Sequence, residues 1–171
     1  HRPPEQREGG LGGAVVAGLR ATKAPWAVVM DGDLQHPPEV IPQLVKQADR
    51  TGVDLVVGSR FAGGAALEGL GRLRRLMSGM LIALARLFFP GQLERVTDPL
   101  SGFFLVRRGA LDLNVLRPRG FKILLELLVT HPRLAKGEVG FRFADRYAGK
   151  SKANLREVWI YLAQLVRLRF G

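Results

Sequence analysis

Val28-Val29-Met30-Asp31-Gly32-Asp33-Leu34-Gln35-His36-Pro37-Pro38-Glu39 is the stretch that decides the fold, an apolar run opening into two carboxylates and an amide. From Trp26 to Met30 the residues are continuously apolar rather than alternating, which predicts a strand buried inside an α/β sheet. The acids then fall at its carboxyl end, where open α/β sheets bind their ligands. Two carboxylates on either side of Gly32, which permits close backbone approach, suit a hard divalent cation, Mg2+ or Mn2+, that could hold a diphosphate. Asp-Gly-Asp is also ordinary turn chemistry, with Asp capping the next helix and Gly taking positive φ. Taken alone, the tripeptide leaves both readings open.

Working outward, Pro37 and Pro38 suit the first turn of a helix whose buried face is predicted as Val40, Ile41, Leu44, Val45 and Ala48, with Thr51-Gly52 as its stop. Asp54 to Arg60 then reads as a second buried strand. Strand, helix and strand imply a right-handed parallel crossover, which places Arg60 at the same sheet edge as Asp31 and Asp33. Upstream, Gly9-Gly10-Leu11-Gly12-Gly13 leads into a helix ending near Lys23 and Pro25. Free N–H groups at such an entry can cradle phosphate, but no Lys-Ser/Thr follows, so a P-loop is excluded and close packing is preferred.

Downstream, Arg72-Leu73-Arg74-Arg75 opens a long apolar helix through Phe89, with Arg74 and Ser78 four residues apart on one face. These arginines are either a solvated face or a contact for phosphate or a membrane surface. Thr97 to Val106 is a turn feeding a strand, in which Asp98 is a turn initiator or a carboxylate at the reaction centre. Gly120 to Val129 reads as a short apolar helix, with Glu126 in a structural role, buried and hydrogen-bonded or paired with Lys122. Val139 to Phe143 is expected as a strand, followed by Arg146-Tyr147-Ala148-Gly149-Lys150-Ser151-Lys152, whose cations can wrap a diphosphate or form surface charge. Residues 153–170 form a predicted amphipathic helix with Leu155, Val158, Trp159, Leu162, Leu165, Val166 and Leu168 on one side. That stripe suits either packing on the sheet or a membrane interface.

With 171 residues, 47% of them hydrophobic, the chain can bury one core, so a single domain over 1–171 is expected. The absence of cysteine excludes disulfide partners and thiolate metal sites. A net charge of +11 favours anionic partners: phosphorylated ligands, an anionic membrane or nucleic acid. The nucleic-acid reading, a basic α/β module, lacks any zinc, RNP or helix-turn-helix signature. Met77 to Pro90 comes nearest to a membrane span, but Arg86 interrupts it.

Several motifs in order, Asp31 to Glu39, Gly58-Ser59-Arg60-Phe61, Arg74 with Ser78, Asp98-Pro99-Leu100-Ser101-Gly102-Phe103 and Arg146 to Lys152, resemble the dolichyl-phosphate mannose synthase-like, or polyprenyl-phosphate, glycosyltransferases. The resemblance covers almost the whole chain and implies a GT-A fold, an α/β sheet flanked by helices. It also implies inverting, metal-dependent transfer of a hexose, mannose foremost, from a nucleotide sugar such as GDP-mannose to dolichyl or polyprenyl phosphate at the cytoplasmic face of a membrane. Transfer of glucose from UDP-glucose and an inactive remnant are the alternatives. By the same resemblance Asp33 and Gln35 bind Mg2+ or Mn2+, and Asp31 and Gly32 touch the nucleotide sugar. Arg60 stands between the donor and acceptor phosphates, Arg74 and Ser78 take the lipid phosphate, Arg146 and Lys152 take the donor diphosphate, and Asp98 orients acceptor or sugar. The family opens with a Pro-x-Tyr-Asn-Glu strand and a second strand ending in an acid. Neither occurs here, so a domain incomplete at its N-terminus and weak nucleotide binding are expected.

Overall fold

The computed structural model describes residues 10–33, 35–63, 72–117, 122–142 and 155–171, without the side chains of 72–74 and 155–156. Helix α1 (Gly10–Ala21) precedes strand β1 (Trp26–Val29), and a 3-10 turn at Pro38–Val40 runs into α2 (Ile41–Thr51). Strand β2 (Leu55–Ser59), helix α3 (Arg72–Phe88), strand β3 (Phe104–Arg107), helix α4 (Ile123–Thr130), strand β4 (Lys136–Gly140) and helix α5 (Leu155–Phe170) follow. Proline at the start of the 38–51 helical segment costs nothing because its missing N–H would have had no partner there. At its end Gly52 takes φ 66° and donates its N–H to Ala48 O, the left-handed cap that glycine adopts most cheaply.

The sheet order is β1-β3-β2-β4. β3 runs antiparallel to both β1 and β2, while β4 is parallel to β2. Strands β1 and β2 therefore point the same way, as the crossover argument requires, but β3 lies between them. In that central position Phe104, Leu105 and Val106 are each at most 2% exposed. Because β3 runs the opposite way, its beginning meets the ends of β1 and β2, with Val29 and Val57 both opposite Phe104. The 98–103 segment is thereby delivered to the sheet edge at which β1 and β2 end.

One sheet face packs on α2 through Leu44, Ala48, Val56, Phe103 and Leu105. The other carries α1, α3, α4 and α5 around Leu55, Val57, Phe104 and Val106. Six consecutive α4 residues, Ile123 to Leu128, are buried, so this helix is enclosed on all sides. The glycine-rich α1 is a packing helix, with Gly12, Val16 and Leu19 buried.

Four expectations need correction. β1, predicted as a strand buried inside the sheet, stands at the edge of the described sheet with all four of its residues only partly buried. The last strand sits at 136–140 rather than 139–143, because its pairing with β2 starts at Leu55 opposite Lys136. Val45 is 40% exposed and not part of the α2 core face. In α5 the buried residues are Tyr161, Gln164 and Leu165, while Trp159 and Val166 of the predicted stripe face outward. Glu126 does play a structural role, but its carboxylate accepts from Arg117 N at 2.7 Å and pairs with Arg167 Nη2 at 3.0 Å.

Candidate active site

The chain leaves β1 at Val29 and turns through Gly32 and Asp33, but Gly32 does not take positive φ and Pro37 rather than an aspartate precedes the next helical segment, so of the turn chemistry expected here only a local bond is present. Asp33 Oδ1 accepts the N–H of Gln35 at 3.2 Å, a local turn bond, yet Asp31 and Asp33 both remain only half-buried. His36, 3% exposed, takes the N–H of Asp31 on Nδ1 at 3.0 Å, so the ring proton sits on Nε2. Phe103 stacks on this imidazole with centroids 5.2 Å apart, and Phe141 meets it edge-on. Burial lowers the His36 pKa, and the acids Asp31 and Asp33 pull it partly back. A neutral, locked ring thus pins the acid loop to the core.

Across the edge, Arg60 follows β2 directly. Its backbone N–H, Nε and Nη2 all donate to the Asp98 carboxylate, at 3.2, 2.7 and 2.9 Å. Asp98 is completely buried and the Arg60 side chain 16% exposed. Burial works against the guanidinium charge, but the paired carboxylate more than compensates and raises the pKa of Arg60. Such a two-pronged bond fixes where the arginine points. An Asp98 so engaged orients Arg60 and is no free base.

The Asp98 turn also touches the acid loop. A Cβ at Gly102 would come to 3.0 Å from Asp31 Oδ2 and 3.3 Å from His36 Cε1, so the turn passes close against the acid loop. Ser101 Oγ donates to Gly58 O at 2.7 Å and ties the same turn to β2. Lys122, just before α4, donates its Nζ to Leu100 O at 3.2 Å. Burial pushes its pKa down to about 8, with the Arg60 charge adding to the effect and Asp98 and Asp31 opposing it. The ammonium thus shares the electrostatic neighbourhood of Asp31, Arg60 and Asp98.

The structure therefore brings Asp31, Asp33, Arg60 and Asp98 to one edge of the sheet. Gly32 is exposed there, and Gln35 follows the acids but is 5% exposed. Ser78 is half-buried on α3, one turn beyond Arg74, and among the described residues no bond ties it to the cluster. The Arg74 side chain, Arg146 and Lys152 lie outside the described residues.

Sequence reasoning missed Lys122 at this site, reading it as a helix partner of Glu126. It also missed Glu138, whose Oε1 accepts from Thr97 N at 2.7 Å and Asp98 N at 3.3 Å, and whose Oε2 accepts from Thr97 Oγ1 at 2.9 Å. No local pattern marks either residue, because both act across long sequence separations.

The donor set can be tested against a divalent cation. Asp33 and Gln35 offer oxygen atoms only, which suits a hard ion. Among the described residues no three His, Cys, Asp or Glu side chains cluster as ligands.

A family model described as glycosyl transferase family 2 matches residues 2–113. A dolichol-phosphate mannosyltransferase of Pyrococcus furiosus is 39% identical over 162 residues, covering 95% of this chain and 46% of that protein. One from Saccharomyces cerevisiae is 37% identical over 179 residues, covering 96% of this chain and 63% of its own length. The chain thus spans about half to just under two-thirds of these curated relatives. Among solved structures, glucosyl-3-phosphoglycerate synthase from Mycobacterium tuberculosis in complex with Mn2+, UDP-glucose and glycerol 3-phosphate superposes with a TM-score of 0.62 at 26% identity. The match covers 92% of this chain and 52% of that one.

Proposed function

Because this chain belongs to glycosyltransferase family 2, we propose that the whole protein transfers a hexose, mannose foremost, from a nucleotide diphosphate sugar to dolichyl or polyprenyl phosphate with inversion. The observation that carries this reading is the convergence of Asp31 and Asp33 from β1 with the Arg60–Asp98 pair from β2 and the turn before β3. The identity to dolichol-phosphate mannosyltransferases over 95% and 96% of the chain supports mannose and a lipid phosphate.

The chemistry is a direct displacement. An oxygen of the acceptor phosphate attacks the anomeric carbon, the bond from that carbon to the diphosphate breaks, and the nucleoside diphosphate departs with the electron pair. A phosphate oxygen is already ionised near neutral pH, so no strong general base is required, consistent with an Asp98 fully committed to Arg60. Asp33 and Gln35 are the residues that would hold Mg2+ or Mn2+, which when bound would offset charge on the departing diphosphate. Arg60, aimed and partly desolvated, would stabilise charge passing between the two phosphoryl groups, where preorganised cations contribute most. Lys122 would add a second positive charge at the same sheet edge. Arg74 and Ser78 would receive the acceptor phosphate, and Arg146 with Lys152 would bind the donor diphosphate.

A lipid acceptor requires a membrane surface, and two helices supply a suitable face. On α3, Leu76, Met80 and Leu87 are 63%, 64% and 76% exposed, and on α5 Trp159, Val166 and Phe170 are 72%, 52% and 79% exposed. Each trio falls on one side of its helix, and the Tyr161 hydroxyl on α5 donates to Leu81 O on α3 at 2.7 Å. Among the described residues no helix is long and apolar enough to cross a membrane, and the paired stripes suit interfacial contact at the cytoplasmic leaflet.

The full-length protein should be assayed with GDP-mannose and UDP-glucose against dolichyl phosphate and 3-phosphoglycerate. Transfer of mannose to the lipid phosphate is expected. Preference for UDP-glucose would favour the second reading, a glucosyltransferase, which the UDP-glucose complex of the structural relative supports.

A further inference from the structure

We propose that Glu138, on β4 and remote from any motif, is a positioning residue that aims Arg60 by clamping the Thr97–Asp98 turn. This rests on the reading of Arg60 as a phosphate-facing group of the transferase. β4 is parallel to β2, and Glu138 stands opposite Val57, two residues before the strand end at Gly140. From there its carboxylate takes three donors, Thr97 N, Thr97 Oγ1 and Asp98 N. Asp98 in turn takes three donors from Arg60. Two carboxylates in series thus fix one guanidinium.

The proton order along this chain follows from the acceptors. Thr97 must give its hydroxyl proton to Glu138 Oε2, so at 2.6 Å it accepts that of Ser59. Ser59 Oγ itself accepts the N–H groups of Phe61 and Ala62, both at 3.1 Å. Only an ionised Glu138, with both oxygens accepting, satisfies every member. Its pKa is raised by burial, and the bonds from Thr97 and Asp98 draw it back. A second β4 contact supports the same residue: Gly140 leaves no room for a side chain because Ala62 O seats on it. β4 therefore buttresses Arg60 on both flanks, at the turn that pairs with it and at the segment that follows it.

A wholly structural Glu138 would make different demands. Thr97 is exposed, so water can satisfy its N–H when the carboxylate is removed, while the buried Asp98 N–H loses its acceptor, and Glu138→Ala should fold with reduced stability. The orientation of Asp98 would not survive as well. In Glu138→Gln the amide oxygen would still accept the two backbone N–H groups, but the amide N–H would force the Thr97 and Ser59 hydroxyls to turn round.

The test uses the full-length protein with Glu138→Ala and Glu138→Gln, each alone and with Arg60→Ala. Glu138→Ala should lower kcat by roughly tenfold with the KM for nucleotide sugar within about twofold, and Glu138→Gln should recover part of the loss. In the Arg60→Ala background neither substitution should lower kcat further, since residues acting through one group are not additive. Hydrogen exchange of the Arg60 Nε–H, followed by NMR with labelled arginine, should accelerate in Glu138→Ala. That readout needs no substrate, so it responds even if the protein transfers some other sugar, which separates failure of this proposal from failure of the transferase reading. Unchanged exchange, unchanged kcat, or an additive loss in the Arg60→Ala background overturns the proposal. If Glu138→Ala does not fold, the same criteria are read from Glu138→Gln.

Discussion

Two arginine–aspartate pairs join the flanks of β2 to the flanks of β3, one at each end of the sheet. At the carboxyl edge Arg60 meets Asp98 with side chains 16% and 0% exposed and a shortest contact of 2.7 Å. At the opposite edge Arg107 meets Asp54 with side chains 44% and 30% exposed, through one 3.2 Å bond. The chemistry is the same, but the environment is not. The inner pair is enclosed by the acid loop, Lys122 and the Glu138 clamp, whereas Arg107 lies over the Trp26 ring at 4.5 Å and faces water. A buried pair is expensive to assemble and adds little stability over an apolar replacement, so its place in this protein is better explained by a use for the oriented charge than by stability. An exposed pair has no such implication.

The largest effect should come from removing the inner carboxylate. Asp98→Ala takes from the largely buried Arg60, beside Lys122, the carboxylate that balances its charge, which is expected to cost about 3–5 kcal/mol. Urea unfolding should register that loss, and transfer activity should vanish with it. Asp98→Asn keeps the shape and some hydrogen bonds and should lose less stability while remaining poorly active. If Asp98→Ala cost no more than the corresponding change at Asp54, the contrast between the two edges would collapse.

Next comes Asp33→Ala. Asp33 is only half-buried, so the melting temperature should change little. Metal-dependent transfer should fall roughly 100-fold or more, in line with losing a group that supports a developing charge. Mn2+ titration followed by electron paramagnetic resonance should show weakened binding. Full Mn2+ affinity in this variant would reassign the ion to other ligands.

The contrast also marks how far the sequence could be read. β1, α2 and β2 were legible because apolar run, proline entry and the Gly52 stop are local signals. The meeting of Arg60 with Asp31 followed from strand direction alone. The insertion of β3 was not legible, since strand order depends on burial preferences that any apolar strand shares. It is this insertion that brings Asp98 to Arg60. Glu138 was lost for a related reason: Lys136-Gly137-Glu138 is polar, and only pairing with the buried β2 makes a strand of it. On α5 periodicity identified the helix but not its inward side, because Tyr161 and Gln164 are buried where Trp159 was expected.

A smaller effect concerns Lys122, whose pKa is held down to about 8, chiefly by burial. The unfolded chain keeps its proton to about pH 10.4. Between about pH 8 and 10 the unfolded state therefore binds more protons than the folded one, and stability should rise with pH through that window. The gain should be on the order of 2 kcal/mol, and Lys122→Met should abolish it. Denaturant midpoints at pH 7.5 and 9.5 measure this directly. A flat profile in the unaltered protein would place the ammonium in water and remove it from the site.

The smallest effect belongs to the outer pair. Asp54→Ala deletes a 3.2 Å bond to Arg107 Nε and a 3.4 Å bond from Ala135 N, but the Asp54 backbone carbonyl still accepts from Arg107 N at 2.8 Å. β2 and β3 thus remain tied at this end, and the freed guanidinium can hydrate or rest on Trp26. An exposed pair of this kind is worth about 0.2–1 kcal/mol, screened further by salt. The midpoint should shift by that amount at low ionic strength and by less in 0.5 M salt, with kcat unchanged. A fall in kcat would mean that strain at this edge travels along β3 to the turn carrying Asp98, and the two ends of the sheet would then have to be treated as one device.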